Sequence, residues 1–188
     1  MGCIIKKLFA FILLLCLPFW LFSCQTVPQK ETEPVVHDNE HVLYGFPSTD
    51  CQIVFRVGYV LCHDEETKTA VWASYRLTQE YLVSAINRTD DFRPDPDLPV
   101  GKRAELLDYR GSGFDRGHLV PAADMARNEQ TMRESFLLSN MAPQLPAFNR
   151  GIWKVLEESV RKLVREKKDI YIITGSLYSE PAQSIGHN

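Results

Sequence analysis

Cysteine is scarce and poorly spaced for chemistry. Of five, Cys3, Cys16 and Cys24 fall in the first 24 residues, which leaves Cys51 and Cys62. There is no Cys-x-x-Cys and no Cys/His zinc spacing, so a zinc ribbon or dithiol centre is excluded. Residues 52–61 read as one extended run, which at ~3.3 Å per residue would hold the two thiols ~30 Å apart. A bridge needs Cα atoms within about 7 Å, so none is expected unless the chain folds back near Gly58. Long apolar runs are equally rare. The one run, residues 8–22, excludes a multi-span membrane protein. Positive charge is short as well: 21 Lys and Arg stand against 24 Asp and Glu, a net charge of −3. A globally basic nucleic-acid binder is therefore excluded, and a polyanionic substrate would need a local basic patch. Internal repeats are absent. What is present, 45% apolar and 24% charged residues over 188 positions, fits one globular domain and excludes a disordered or fibrous chain.

The N-terminus reads as an address. Lys6 and Lys7 precede the 15 apolar residues 8–22, and Ser23-Cys24 follows. That run is short for a membrane span and suits a signal segment over residues 1–23. Leu21-Phe22-Ser23-Cys24 is similar to a bacterial lipobox, with Cys24 as the lipidated residue, although Phe22 is bulkier than that motif usually carries. An uncleaved N-terminal anchor is the other reading. Loss of residues 1–23 leaves 19 basic against 24 acidic residues, a net charge of −5. The expected location is the bacterial cell envelope, as a lipoprotein facing the periplasm or the outer membrane, with secretion as the alternative. Residues 24–41, rich in Pro, Gln, Thr and acids, read as a flexible tether. The globular domain is expected over 42–188.

Within it, residues 53–61 and 70–77 are β-rich and flank a polar stretch, a hairpin signal. Residues 87–99, charged and with three prolines, read as loop. A short strand is expected over 135–142 and another over 170–174. From Asn149 the pattern turns helical. Trp153, Leu156, Val160, Leu163 and Val164 form one apolar stripe, and Arg150, Lys154, Arg161, Lys162, Arg165 and Lys167 lie opposite.

Two segments carry chemistry: Asp115-Arg116-Gly117-His118, and Ser139-Asn140-Met141-Ala142-Pro143-Gln144 with Asn149, Trp153 and Glu157 behind it. Asn149, Trp153 and Glu157 recur at i, i+4 and i+8, one side of a helix. A neutral Asn oxygen and a carboxylate within reach of a water-bridged ion suit Mg²⁺, which takes oxygen ligands and keeps several waters. A histidine beside such an ion, largely neutral at pH 7, suits a general base. Taken singly, each residue has a plain structural reading: His118 in a loop, Asn149 as a helix cap, Glu157 as a solvated charge, Trp153 as core.

Taken in this order they are another matter. Asp-Arg-Gly-His, then Ser-Asn-x-x-Pro-Gln, then Asn-x-x-x-Trp with the following Leu-Glu resembles the DNA/RNA non-specific endonuclease family. This is the ββα-metal group that includes endonuclease G and the Serratia-type nuclease. The resemblance runs from about Leu43 to the C-terminus and takes in Gly58-Tyr59-Val60-Leu61 and Trp72-x-x-Tyr75-x-Leu77. It implies an α+β fold with a central antiparallel sheet flanked by helices. It implies a metal-dependent endonuclease acting on DNA and RNA with little sequence preference. Residue by residue, it implies His118 as general base, Asn149 as the protein ligand of Mg²⁺ (with Mn²⁺ as a substitute), and Glu157 as a carboxylate holding metal-bound water. It further implies Arg116 near the phosphate, Asn140 as a supporting residue of the site, and Arg93 as a substrate contact. Beyond nucleic acid, the partners expected are a membrane through the lipid anchor and, left open, a homodimer.

The sequence departs from the family pattern in two places. Thr174-Gly175-Ser176 stands where Thr-Gly-Pro is usual, and the chain stops at Asn188 where the family continues with a further sheet strand. The expectation is a domain truncated at its C-terminus, its sheet short of a partner. The competing expectation is an inactive remnant that binds nucleic acid weakly or not at all; a structural lipoprotein has no motif behind it.

Overall fold

A computed structural model describes residues 38–178 and 184–186. The signal segment, Cys24 and residues 24–37 of the tether lie outside the described residues. The folded part reaches upstream of Val42. A 3₁₀ turn, Glu40–Val42, is capped by Asn39, whose side chain accepts from the His41 N–H. His41 is buried. Its Nδ1 accepts from the Arg76 N–H at 3.1 Å and its Nε2 meets the Val57 carbonyl at 3.1 Å. That pair of contacts requires a neutral ring, and burial keeps the pKa low.

Six strands follow in chain order: β1 (Gln52–Phe55), β2 (Val60–Asp64), β3 (Thr69–Thr78), β4 (Asp115–His118), β5 (Met141–Gln144) and β6 (Asp169–Thr174). One antiparallel sheet has the order β1-β2-β3-β6, and β4 with β5 forms a second, two-stranded one. The alternation along β3 sends its side chains to two cores. Ala73, Tyr75 and Leu77 join Tyr59, Leu61, Leu119, Met125 and Val164 on one face. Trp72 joins Val42, Val60 and Cys62 on the other. Among the described residues β6 pairs only with β3, and Ile173 on it is exposed.

The 53–61 run is not one strand. The chain reverses within it, the Arg56 N–H donating to the Tyr59 carbonyl at 2.8 Å. Ile53 thereby faces Cys62, and Cys51 is bridged to Cys62 with Cα atoms 5.5 Å apart. The expectation of free thiols is corrected by that fold-back. Gly58 sits in the turn because a Cβ there would lie 2.3 Å from the Met125 Sδ. Continuous apolar character on both arms hides such a reversal.

The strand expected over 135–142 is mostly something else. α1 (Leu106–Tyr109) is a short helix upstream, and α2 (Glu129–Ser135) ends at the first of these residues. A 3₁₀ turn, Leu138–Asn140, follows, and only then β5. Asn128 starts α2 by accepting from the Thr131 N–H at 2.9 Å, a cap that lies outside the window read as strand.

The final helical region is also broken. α3 (Pro146–Phe148) leads into a wider π turn, Asn149–Trp153, with a non-helical Gly151 (φ −105°, ψ −108°), before α4 (Lys154–Lys167). Of the expected apolar stripe, Val164 is buried and Val160 packs on the core. Leu156 and Leu163 stay 50% and 42% exposed. The helix instead turns the line Glu157, Val160, Arg161 and Val164 inward, because Glu157 and Arg161 have polar partners there.

Candidate active site

β4, β5 and α4 form a strand–strand–helix unit, and the unit sets the site. Antiparallel pairing puts His118 opposite Met141 and Gly117 opposite Ala142. Gly117 admits no side chain: a Cβ would lie 2.2 Å from Gln144 Cδ, so the glycine lets Gln144 lie across the strand. The Trp153 indole N–H donates to the His118 carbonyl at 3.2 Å, which ties the helix to β4. Trp153, read as core from sequence, is a half-buried strut.

A cavity of 780 Å³ opens at this junction. His118, Arg116, Asn149 and Glu157 all line it, together with Asp115. Arg88, Arg110, Arg150 and Lys154 line it too, which gives the acidic chain the local basic patch that a polyanion requires. His118 is 8% exposed, and its Nε2 is buried without a hydrogen-bond partner among the described residues. Phe92 and Phe136 flank its ring at 5.7 and 5.0 Å between centroids. Burial, reinforced by Arg88, lowers its pKa to about 3, so the imidazole is neutral at pH 7. Glu157 moves the other way. Desolvation raises its carboxyl to about 7, against the opposing pull of Arg161.

Asn149 donates its amide Nδ2 to Asp115 Oδ2 at 2.9 Å. The Asp115 carboxylate is held below its usual range, first by the Arg150 hydrogen bonds and then by Asn149. This pairing fixes the amide so that its carbonyl oxygen is the atom left for the cavity. The donor set suits a hard divalent cation bound largely through water: one amide oxygen, with a carboxylate farther along the same helix. Among the described residues no group of three or more His, Cys, Asp or Glu is arranged to hold an ion.

Of the other expected residues, Arg116 lines the cavity and Asn140 and Arg93 do not. Asn140 is buried behind the cavity. It accepts from the Val120 N–H at 3.0 Å and donates to the Val120 and Ser135 carbonyls at 3.0 and 2.9 Å, bracing the segment that follows His118. Arg93 turns away from the cavity, its guanidinium on the Asp91 carbonyl and carboxylate at 3.0 Å, while its backbone pairs with Leu137. Arg116 extends over the Phe92 ring, 4.1 Å from its centroid, with no ion pair among the described residues.

Arg88, Arg110, Asp124 and Arg161 escaped sequence reasoning as parts of the site. Arg88 reaches the cavity from the 87–99 loop and lies over Phe136, 4.9 Å from the ring centroid; no spacing rule places a loop arginine. Asp124 is wholly buried. It accepts from the Tyr75 hydroxyl and from Arg161, both at 2.9 Å. Arg161 stands 4.0 Å from Glu157, so Asp124 anchors the cation that faces the acid. The i, i+4 spacing of Glu157 and Arg161 was the available signal for that pair.

Comparison with known proteins follows the same lines. The family model for DNA/RNA non-specific endonuclease matches residues 37–188. The chain is 40% identical over 144 residues to the mitochondrial endonuclease G of Bos taurus, covering 76% of this chain and 48% of that protein. It is 36% identical over 160 residues to a nuclease of Nostoc sp., covering 80% and 57%. The solved endonuclease G structure from the EndoG/EndoGI complex superposes with a TM-score of 0.70 at 34% identity, over 78% of this chain and 62% of that one. The chain spans about half the length of the curated relatives it matches.

Proposed function

The chain belongs to the DNA/RNA non-specific endonuclease family, and on that premise we propose that it hydrolyses phosphodiester bonds of DNA and RNA with little sequence preference. His118 is the general base, and Asn149 is the residue that would hold Mg²⁺. The observation that carries this reading is the convergence of His118, Arg116, Asn149 and Glu157 on one basic cavity. A divalent cation held there would supply positive charge against the charge that builds during phosphodiester cleavage. The protein supplies the rest. His118 enters the reaction unprotonated, able to take the proton of an attacking water at its imidazole. A bound phosphate anion favours the imidazolium, so the pKa climbs when the base is needed. Arg116, with no ion pair among the described residues, is free for a phosphate oxygen. Asp115 orients the Asn149 amide, and Glu157, titrating near 7, holds water beside it. None of these groups reads a base edge. Contacts to phosphate carry no sequence information, hence the tolerance. The N-terminal pattern supports a place in the cell envelope, and the Cys51–Cys62 bridge is in keeping with an oxidising compartment.

The test is digestion of supercoiled plasmid and total RNA with Mg²⁺, with EDTA, and by the His118→Ala protein. Cleavage of both substrates in Mg²⁺ alone, lost in the other two conditions, is the expected result. An unchanged rate in His118→Ala, with the fold intact, overturns the assignment.

A further inference from the structure

A second cavity, of 370 Å³, adjoins the first and shares Arg88, Ala122 and Ala123 with it. Its character is different. Ile86, Ala126 and Met132 give it an apolar side; Met132 and Ala126 are buried and Ile86 is half-buried. Arg88, Arg161 and Arg165 line it as well. Its wall is tied down, since the Ala85 and Ile86 N–H groups both donate to the Ala126 carbonyl, at 2.9 and 3.2 Å. Arg88 has Asp90, and Arg161 has Asp124 and Glu157, but Arg165 is exposed with no ion pair among the described residues. Apolar surface beside an uncommitted guanidinium suits a molecule with a flat, weakly hydrated face and an adjacent anion. A nucleotide has both. Guanidinium groups bind phosphate oxygens and also stack on bases. A base inside a duplex offers no free face without unstacking, which costs a few kcal/mol.

Resting on the nuclease reading above, we propose that this second cavity is a subsite for an unpaired nucleotide flanking the scissile phosphate. Its base lies against Ile86, which the buried Ala126 and Met132 back, and its phosphate on Arg165. Single strands therefore gain a contact that duplexes do not.

Two readouts test it on the full chain. The first is anisotropy of a labelled 12-nucleotide single strand, and of the same sequence as a duplex, titrated in EDTA so that binding is read without turnover. The second is hydrolysis of bis(p-nitrophenyl) phosphate, a diester with no base. Arg165→Ala is expected to weaken single-strand binding roughly tenfold, the loss of one charged contact, and duplex binding by clearly less. Ile86→Ala is expected to weaken it in the same order, and neither change alters hydrolysis of the small diester. Unchanged single-strand binding in both variants, or equal loss on strand and duplex, overturns the subsite. If binding behaves as expected while no diester is hydrolysed in Mg²⁺, the single-strand contact stands, its place beside a scissile phosphate does not, and the nuclease reading fails.

Discussion

Lowering the pH from 7 to 4 protonates a histidine in an unfolded chain but not His118 in the folded one. Its folded pKa is about 3, against an ordinary value near 6.5. The unfolded state therefore binds the proton first, and stability falls as pH drops below 6.5 until the folded pKa is reached. Each pH unit in that window is worth ~1.4 kcal/mol for one group, so the loss by pH 4 is on the order of 3 kcal/mol from His118 alone. The physical cause is the ring's enclosure between Phe92 and Phe136, with Nε2 unpartnered and Arg88 close by. Urea unfolding at pH 7, 5.5 and 4 measures it, comparing the natural chain with His118→Gln. His41, also buried and depressed, titrates in both proteins and cancels in the comparison. The natural chain should lose about 3 kcal/mol more than His118→Gln between pH 7 and 4. Equal pH slopes for the two would refute the claim that the fold holds this imidazole neutral.

Other expectations follow from single contacts. Reducing the Cys51–Cys62 bridge removes a short loop constraint worth about 3 kcal/mol; thermal unfolding with and without reductant should show a midpoint roughly 10 °C lower, with activity at 25 °C retained because the bridge is remote from the cavity. Gly117→Ala drives a methyl into Gln144 and should cost about 1–3 kcal/mol; adding Gln144→Ala should restore most of it in the same urea titration. Asp124→Ala leaves Arg161 and the Tyr75 hydroxyl without their buried acceptor and should cost about 3–5 kcal/mol. Asp124→Asn, which keeps an acceptor oxygen, should cost clearly less.

The β-rich run of β3 and the ordered motif set were legible because both are local patterns, and the central antiparallel sheet came with the family resemblance those motifs carry. Asp115–His118, legible as a contiguous motif, proved to be a strand. Legibility ended where distant contacts decide. The reversal at residues 56–59 seats Gly58 against Met125, far along the chain, so nothing in the run itself marks the turn beyond one glycine. The inward side of α4 is chosen by Asp124, a buried acid that draws Arg161 and outweighs the apolar count favouring Leu156 and Leu163. Asn140, picked out by its motif, proved to brace backbone from behind, and Arg88, in a segment read only as loop, reaches the cavity.

The π turn at Asn149–Trp153 bears on how such a chain tolerates insertions and deletions. An α-helix advances about 100° per residue, so a regular helix from Asn149 would lock the Asn149 amide to the rotation of α4. The looser turn and the break at Gly151 uncouple them. Asn149 answers to Asp115 on β4, while Glu157 answers to Arg161 and Asp124 beneath the helix. Loss of one residue between Arg150 and Ile152 would tighten the turn to an unbroken helix and swing Asn149 away from Asp115, with every residue beyond Trp153 left in place. The fold would survive that lesion and the Asn149–Asp115 contact would not. Among descendants of this sequence, the length of that five-residue turn is thus a record of whether the site has been kept in use.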